Sequence, residues 1–216
     1  MLRAFALALA LLVGCSTVRS PIPLGDPIED LRADDWAGRY FISDGEVVLE
    51  VDYGEGGALQ VQFFERQDAD GSWSADRSAP VLIRSLESDD FDTEEASLIL
   101  VHFPDEQGTL DGPYDLMLLQ KLDGQLVVWI PDVDHVARLV TEGALPGEVM
   151  NEGGVVRVLL GELSREEVAT KMETSLSAFF DINHPLALVR LPDSLVHPDV
   201  LTALREASLK ADQENK

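Results

Sequence analysis

A chain of 216 residues with 45% hydrophobic content is long enough to bury its own core and too apolar to stay unfolded. Its 40 acidic residues against 16 basic ones give a formal charge of -24. That balance argues against nucleic acid as a partner and against adhesion of the folded surface to anionic lipid, since both need clustered Lys and Arg. It suits solubility in a saline or Mg²⁺-rich medium, or recruitment of cations or of a basic partner.

The chain opens with one cation, Arg3, followed by an uncharged apolar run from Ala4 to Gly14. Those 11 residues make roughly 16 Å of helix against a hydrocarbon core of about 30 Å, too short to span it comfortably. A short cationic head and a short apolar body read as a secretory signal. The end of the run, Leu12-Val13-Gly14-Cys15, resembles the lipobox of bacterial lipoproteins. The resemblance implies removal of residues 1–14 as a signal peptide and acylation of Cys15, including a palmitate-type chain. Ser16, rather than Asp, after that Cys implies sorting to the outer membrane, facing the periplasm. Two or more acyl chains would hold the protein on the bilayer stably. Cys15 is the one cysteine of the chain, so no disulfide is available and the fold must rest on an ordinary core.

Residues 15–35 carry Pro21, Pro23 and Pro27 and no apolar periodicity, and are read as a tether of about 25 Å if flexible. Residues 36–210 are read as a single globular domain, and 211–216 as a frayed tail. Gly38 to Ser43 reads as a strand closed by Asp44-Gly45, a hairpin signal. Val47, Leu49, Val51 and Tyr53 then alternate with mostly acidic residues, and Leu59, Val61 and Phe63 continue the period of two. Leu98–Val101, Leu116–Leu119 and Leu126–Ile130 are apolar on both faces, so both faces must be covered.

The covers are sought downstream. Asp132 as N-cap, Val133, Val136, Leu139 and Val140 as a stripe and Gly143 as a stop predict one helix. A strand is predicted over Val155 to Leu160. Ser164-Arg165-Glu166-Glu167 is a capping box flanked by Leu163 and Val168, heading a stripe of Val168, Met172, Leu176 and Phe179. Pro185 to Leu191 returns as a strand, and Pro198 opens a last helix with Leu201 and Leu204. The expected fold class is α+β. It has an antiparallel β-sheet of about 7–9 strands, free to curl into a barrel or half-barrel, with two or three C-terminal helices packed on it.

Motifs for chemistry are thin. Gln67 to Ser72 resembles part of a calcium loop, but Arg66 and Arg77 fall where that loop needs acids, and a solvated turn is the competing reading. Glu87 to Glu95 holds six carboxylates in nine residues, a cation cluster or a solvated acidic loop. His102, His135, His184 and His197 share no zinc-type spacing, with Asp132 and Asp134 beside His135 expected at a helix start. No Gly-x-Ser-x-Gly and no second Cys points to a nucleophile. No catalytic, cofactor-binding or metal residue is assigned, no cofactor is expected, and an enzyme is the weaker reading.

Asp35-Trp36-Ala37-Gly38-Arg39-Tyr40 is similar to the first conserved region of lipocalins, with Tyr40 in place of the Trp that follows Gly there. The lipocalin Thr-Asp-Tyr loop is missing. A carrier of an apolar ligand or lipid would keep a sheet-lined cavity at the concave face, whereas large side chains such as Phe63, Met117 and Trp129 meeting there would close it. As a whole the mature part resembles envelope lipoproteins of unassigned activity. The expected function is a non-enzymatic binding or assembly module, anchored to the bilayer through acylated Cys15 and meeting an envelope protein or a lipid ligand. A lipid carrier and an envelope hydrolase are the alternatives.

Overall fold

The computed structural model describes residues 16–28, 36–42, 47–54, 58–66, 73–86, 98–103, 113–122, 125–168, 170–171 and 176–192. Their strands are β1 (Thr17–Ser20), β2 (Asp26–Pro27), β3 (Gly38–Ile42), β4 (Val47–Tyr53), β5 (Leu59–Arg66), β6 (Trp73–Ser85), β7 (Leu98–Phe103), β8 (Tyr114–Leu122) and β9 (Gln125–Trp129). Helix α1 (Val133–Thr141) follows, then β10 (Gly147–Glu152), β11 (Val155–Leu160), two single turns α2 (Arg165–Val168) and α3 (Leu176–Phe179), and β12 (Leu186–Arg190).

All twelve strands belong to one sheet. From β8 the pairing runs through β7, β6, β5, β4, β3 and β12 to β9, and β9 returns to the Leu118–Leu122 part of β8. The other end of β8, at Tyr114 and Asp115, pairs with β1, which leads through β11 to β10. Beyond this ring of pairings the sheet runs on through β1 and β11 to an edge at β10 among the described residues, so the sheet as a whole is not closed into a barrel.

The period of two sets the inner face. Tyr40, Leu49 and Phe63 stand side by side across β3, β4 and β5. Leu119, Val128 and Leu186 do the same across β8, β9 and β12. Fifteen buried side chains form this inner cluster, with Met117 packed against it. A second cluster lies on the opposite face of β8 and β9, where Leu116, Leu118 and Trp129 meet Val18 of β1, Val158 of β11, Val136 of α1, and Leu176 and Phe179 of α3. Strands apolar on both faces are covered on both, as their sequence requires.

Helix α1 follows its sequence signals. Asp132 Oδ1 accepts the His135 N–H at 2.9 Å, Val136 is fully buried, and Gly143 takes φ +75°. That positive φ lets the Ala144 N–H return to the Leu139 carbonyl at 2.9 Å and end the helix.

The fold is mostly β, which overturns the α+β class expected from sequence. Among the described residues 58% are strand and 14% helix, and α1 alone exceeds one turn. The capping box at Ser164 does form: the Ser164 N–H donates to Glu167 Oε2 at 2.9 Å and the Glu167 N–H to Ser164 Oγ at 3.3 Å. Among the described residues it opens the single turn α2, beyond which Thr170 and Lys171 lie in a π-type turn and Lys171 Nζ donates to the Ala144 carbonyl. The one helix expected from Ser164 to Phe179 is thus described only as the turns α2 and α3, with residues 169 and 172–175 outside the described residues, and the helix expected at Pro198 lies outside them as well. The sheet is also larger than the 7–9 strands expected, and mixed, because β1 pairs in parallel with β11. The additional strands come from β1, β2, β6 and β10, whose sequences are short, polar or Pro-bearing.

Residues 16–28 do not behave as a tether. β1 is inserted between β8 and β11, with Val18 2% and Ser20 0% exposed, and Leu24 is buried in the second cluster.

Candidate functional site

The N-terminal strand is the part of the fold that touches the one sequence motif with a chemical meaning. Cys15 itself lies outside the described residues. Its neighbour Ser16 accepts the Val156 N–H on Oγ at 3.0 Å, and Thr17, Val18 and Arg19 then pair with Arg157, Val158 and Leu159. On the other side Arg19 lies opposite Asp115, and Arg19 Nε donates to Asp115 Oδ1 at 2.7 Å. Asp115 is 6% exposed, so this charge is held inside the sheet by its partner. Ser20 Oγ donates to the Ile22 carbonyl at 2.6 Å and thereby turns the chain after the strand. The neighbouring edge is the β10–β11 hairpin. Its two-residue turn, Gly153 at φ +63° and Gly154 at φ +88°, is one that glycine enters without strain. All six residues of β10 are exposed, Val149 and Met150 among them, and Glu152 lies 4.0 Å from Arg157.

A second cluster surrounds Trp36. Lys121 Nζ lies 5.3 Å from the centroid of its ring, and Tyr40 OH donates to the Trp36 carbonyl at 3.0 Å. Arg190 donates to the Ala37 carbonyl at 2.8 Å and lies over Gly38, where a Cβ would meet its Nε at 3.1 Å. Burial raises the Tyr40 phenol above its ordinary range, against the opposing pull of the Arg190 charge. The cluster fastens the entry into β3 to β8 and β12. Its polar groups are spent on backbone carbonyls, which suits a clamp better than a reacting centre.

The sequence candidates for chemistry do not converge. His135 sits on α1, where Arg138 donates to its Nδ1 at 2.7 Å. His184 Nδ1 pairs with Asp181 Oδ2 at 2.8 Å on the surface. Asp132 is used as a helix cap and Asp134 is exposed. The backbone of His102 is in β7, its side chain is outside the described residues, and so are His197, Gln67 to Ser72 and Glu87 to Glu95. Among the described residues no three His, Cys, Asp or Glu side chains gather as metal ligands would. Phe63 belongs to the inner cluster and Met117 packs against that cluster, whereas Trp129 faces the second cluster, where its Nε1 donates to the Ile182 carbonyl at 3.2 Å.

The contact that sequence reasoning missed is Ser16 on Val156, a bond across 140 positions. The local signal is the alternation of Thr17, Val18, Arg19 and Ser20, too brief to stand out beside the prolines that follow. Comparison with known proteins finds no matching family model, no matching curated protein and no matching solved structure.

Proposed function

We propose that this chain is a lipid-anchored protein of the bacterial cell envelope, acylated at Cys15, held on the outer membrane and facing the periplasm, and serving as a binding or assembly module rather than an enzyme. The observation that carries the reading is the lipobox-like Leu12-Val13-Gly14-Cys15 after an uncharged apolar run. The fold is compatible with cleavage there: β1 starts at Thr17, so loss of residues 1–14 leaves every described strand in place. No helix among the described residues is long and apolar enough to cross a membrane, so the acyl chains would carry the attachment. The module reading draws on the scatter of His135 and His184, each engaged by a single local partner. Ser16 also has a place in the fold, since its Oγ accepts the Val156 N–H at 3.0 Å. The test is expression in a Gram-negative host with and without the lipoprotein signal-peptidase inhibitor globomycin, followed by intact-mass analysis. Expected are accumulation of the precursor under inhibitor and, without it, a mature chain starting at Cys15 with diacylglyceryl mass. An unmodified thiol on the purified product would overturn the reading.

A further inference from the structure

We infer that the β10–β11 hairpin is held at the lipid surface, with no spacer between the acylated residue and the folded sheet. This rests on the reading of Cys15 as the anchor and adds where the folded part then sits.

Ser16 Oγ is bonded to the Val156 amide, and Thr17 is already paired with Arg157. Cys15 is the next residue, so its Cα lies about 3.8 Å from that of Ser16. A coil of twenty residues would let the domain stand about 25 Å from the bilayer, and here that slack is absent. Asn151 lies opposite Val156 in the hairpin, one strand spacing of about 4.8 Å away. The acyl-bearing residue therefore brings the Asn151–Val156 end of the hairpin to the headgroups with it. The side chains there tolerate that place. Glu152 has Arg157 within 4.0 Å, the turn is Gly153-Gly154, and the preceding Val149 and Met150 are large apolar side chains already exposed. The occupant of this face is the bilayer, because the chain leads straight into it.

The experiment uses the full acylated chain in phosphatidylcholine vesicles doped with a lipid carrying a nitroxide on its headgroup. Asn151→Cys and Glu162→Cys each supply one thiol for a fluorescent label, since Cys15 is blocked. Both native residues are exposed, so the fold is not challenged. The Asn151 label is expected to be quenched at least about twofold more than the Glu162 label, which lies roughly 20 Å further along the strand direction. Inserting about ten Gly and Ser residues between Cys15 and Ser16, beginning with Ser, adds a coil of roughly 17 Å and should abolish the difference. Equal quenching at the two sites, in samples whose intact mass shows the acyl groups, would overturn the inference and leave the anchor reading standing. Absence of the acyl mass would overturn both.

Discussion

Arg19 and Asp115 face each other across β1 and β8, and Asp115 is nearly sealed from solvent. Removing one partner strands a buried charge, whereas removing both does not. Arg19→Leu is therefore expected to cost about 3 kcal/mol, and the double variant Arg19→Leu/Asp115→Leu to return within about 1 kcal/mol of the parent. Urea unfolding of a chain beginning at residue 16 measures the cycle; equal losses in the single and double variants would contradict it. Tyr40 makes a different case. Its OH–Trp36 bond is neutral and buried, so Tyr40→Phe should cost about 1 kcal/mol near neutral pH. Burial raises the folded-state pKa of this phenol, so the folded state holds the proton more tightly than the unfolded one. Its contribution is then fully present below the ordinary phenol value of about 10 and is lost as pH rises through the folded value. The parent should accordingly lose stability faster than Tyr40→Phe above pH about 10, read as thermal midpoints across alkaline buffers.

Strand β1 is the element whose removal says most. It supplies Val18 to the second cluster, a partner for β11 on one side and for β8 on the other, and the mate of Asp115. Burying one such apolar side chain is worth about 1.5–3 kcal/mol and taking the Arg19 charge from the buried Asp115 costs about 3–5 kcal/mol. A chain started at residue 36, as the tether reading would suggest, should thus lose more than about 5 kcal/mol, enough to unfold or aggregate an ordinary domain. One started at residue 16 should melt cooperatively by circular dichroism. Cooperative melting of the shorter chain would show β1 to be dispensable. Elements whose signal is local were legible in the sequence: β4 from its alternation, α1 from Asp132, its stripe and Gly143, and the two-faced strands β8 and β9. β1 was hidden by its four-residue length. β10, exposed throughout, has no burial pattern to read and is a strand because the Gly153-Gly154 turn folds it onto β11. The capping box at Ser164 was legible as a helix start, but how far the helix continues depends on tertiary contacts such as Lys171 with the Ala144 carbonyl. At the candidate site the same division holds: Cys15 stands out by its local motif, whereas the seat of Ser16 on Val156 is a contact between distant segments.

Across the whole molecule, β8 joins the two apolar clusters, sending Met117 and Leu119 to the inner one and Leu116 and Leu118 to the other. The clusters therefore share a wall, and a strain on either is felt by both. The load they carry is electrostatic as much as entropic, because 40 acids against 16 bases give the chain a charge of -24. That figure is already net of every Lys and Arg, those in ion pairs such as Arg39 Nε with Glu50 Oε1 at 2.9 Å included. Self-repulsion opposes compactness and is screened once the Debye length, about 30 Å at 0.01 M salt, falls toward the spacing of surface charges. Raising NaCl from 0.01 M to 0.3 M should then stabilise a chain begun at residue 16 by about 1–2 kcal/mol, a rise of roughly 3–6 °C in Tm for a domain of this size. MgCl2 at matched ionic strength discriminates the two uses of an acidic surface. An equal rise means diffuse screening and a surface built for solubility. An excess rise that saturates with concentration means that Mg²⁺ binds the folded state at a site, since only binding adds stability by mass action.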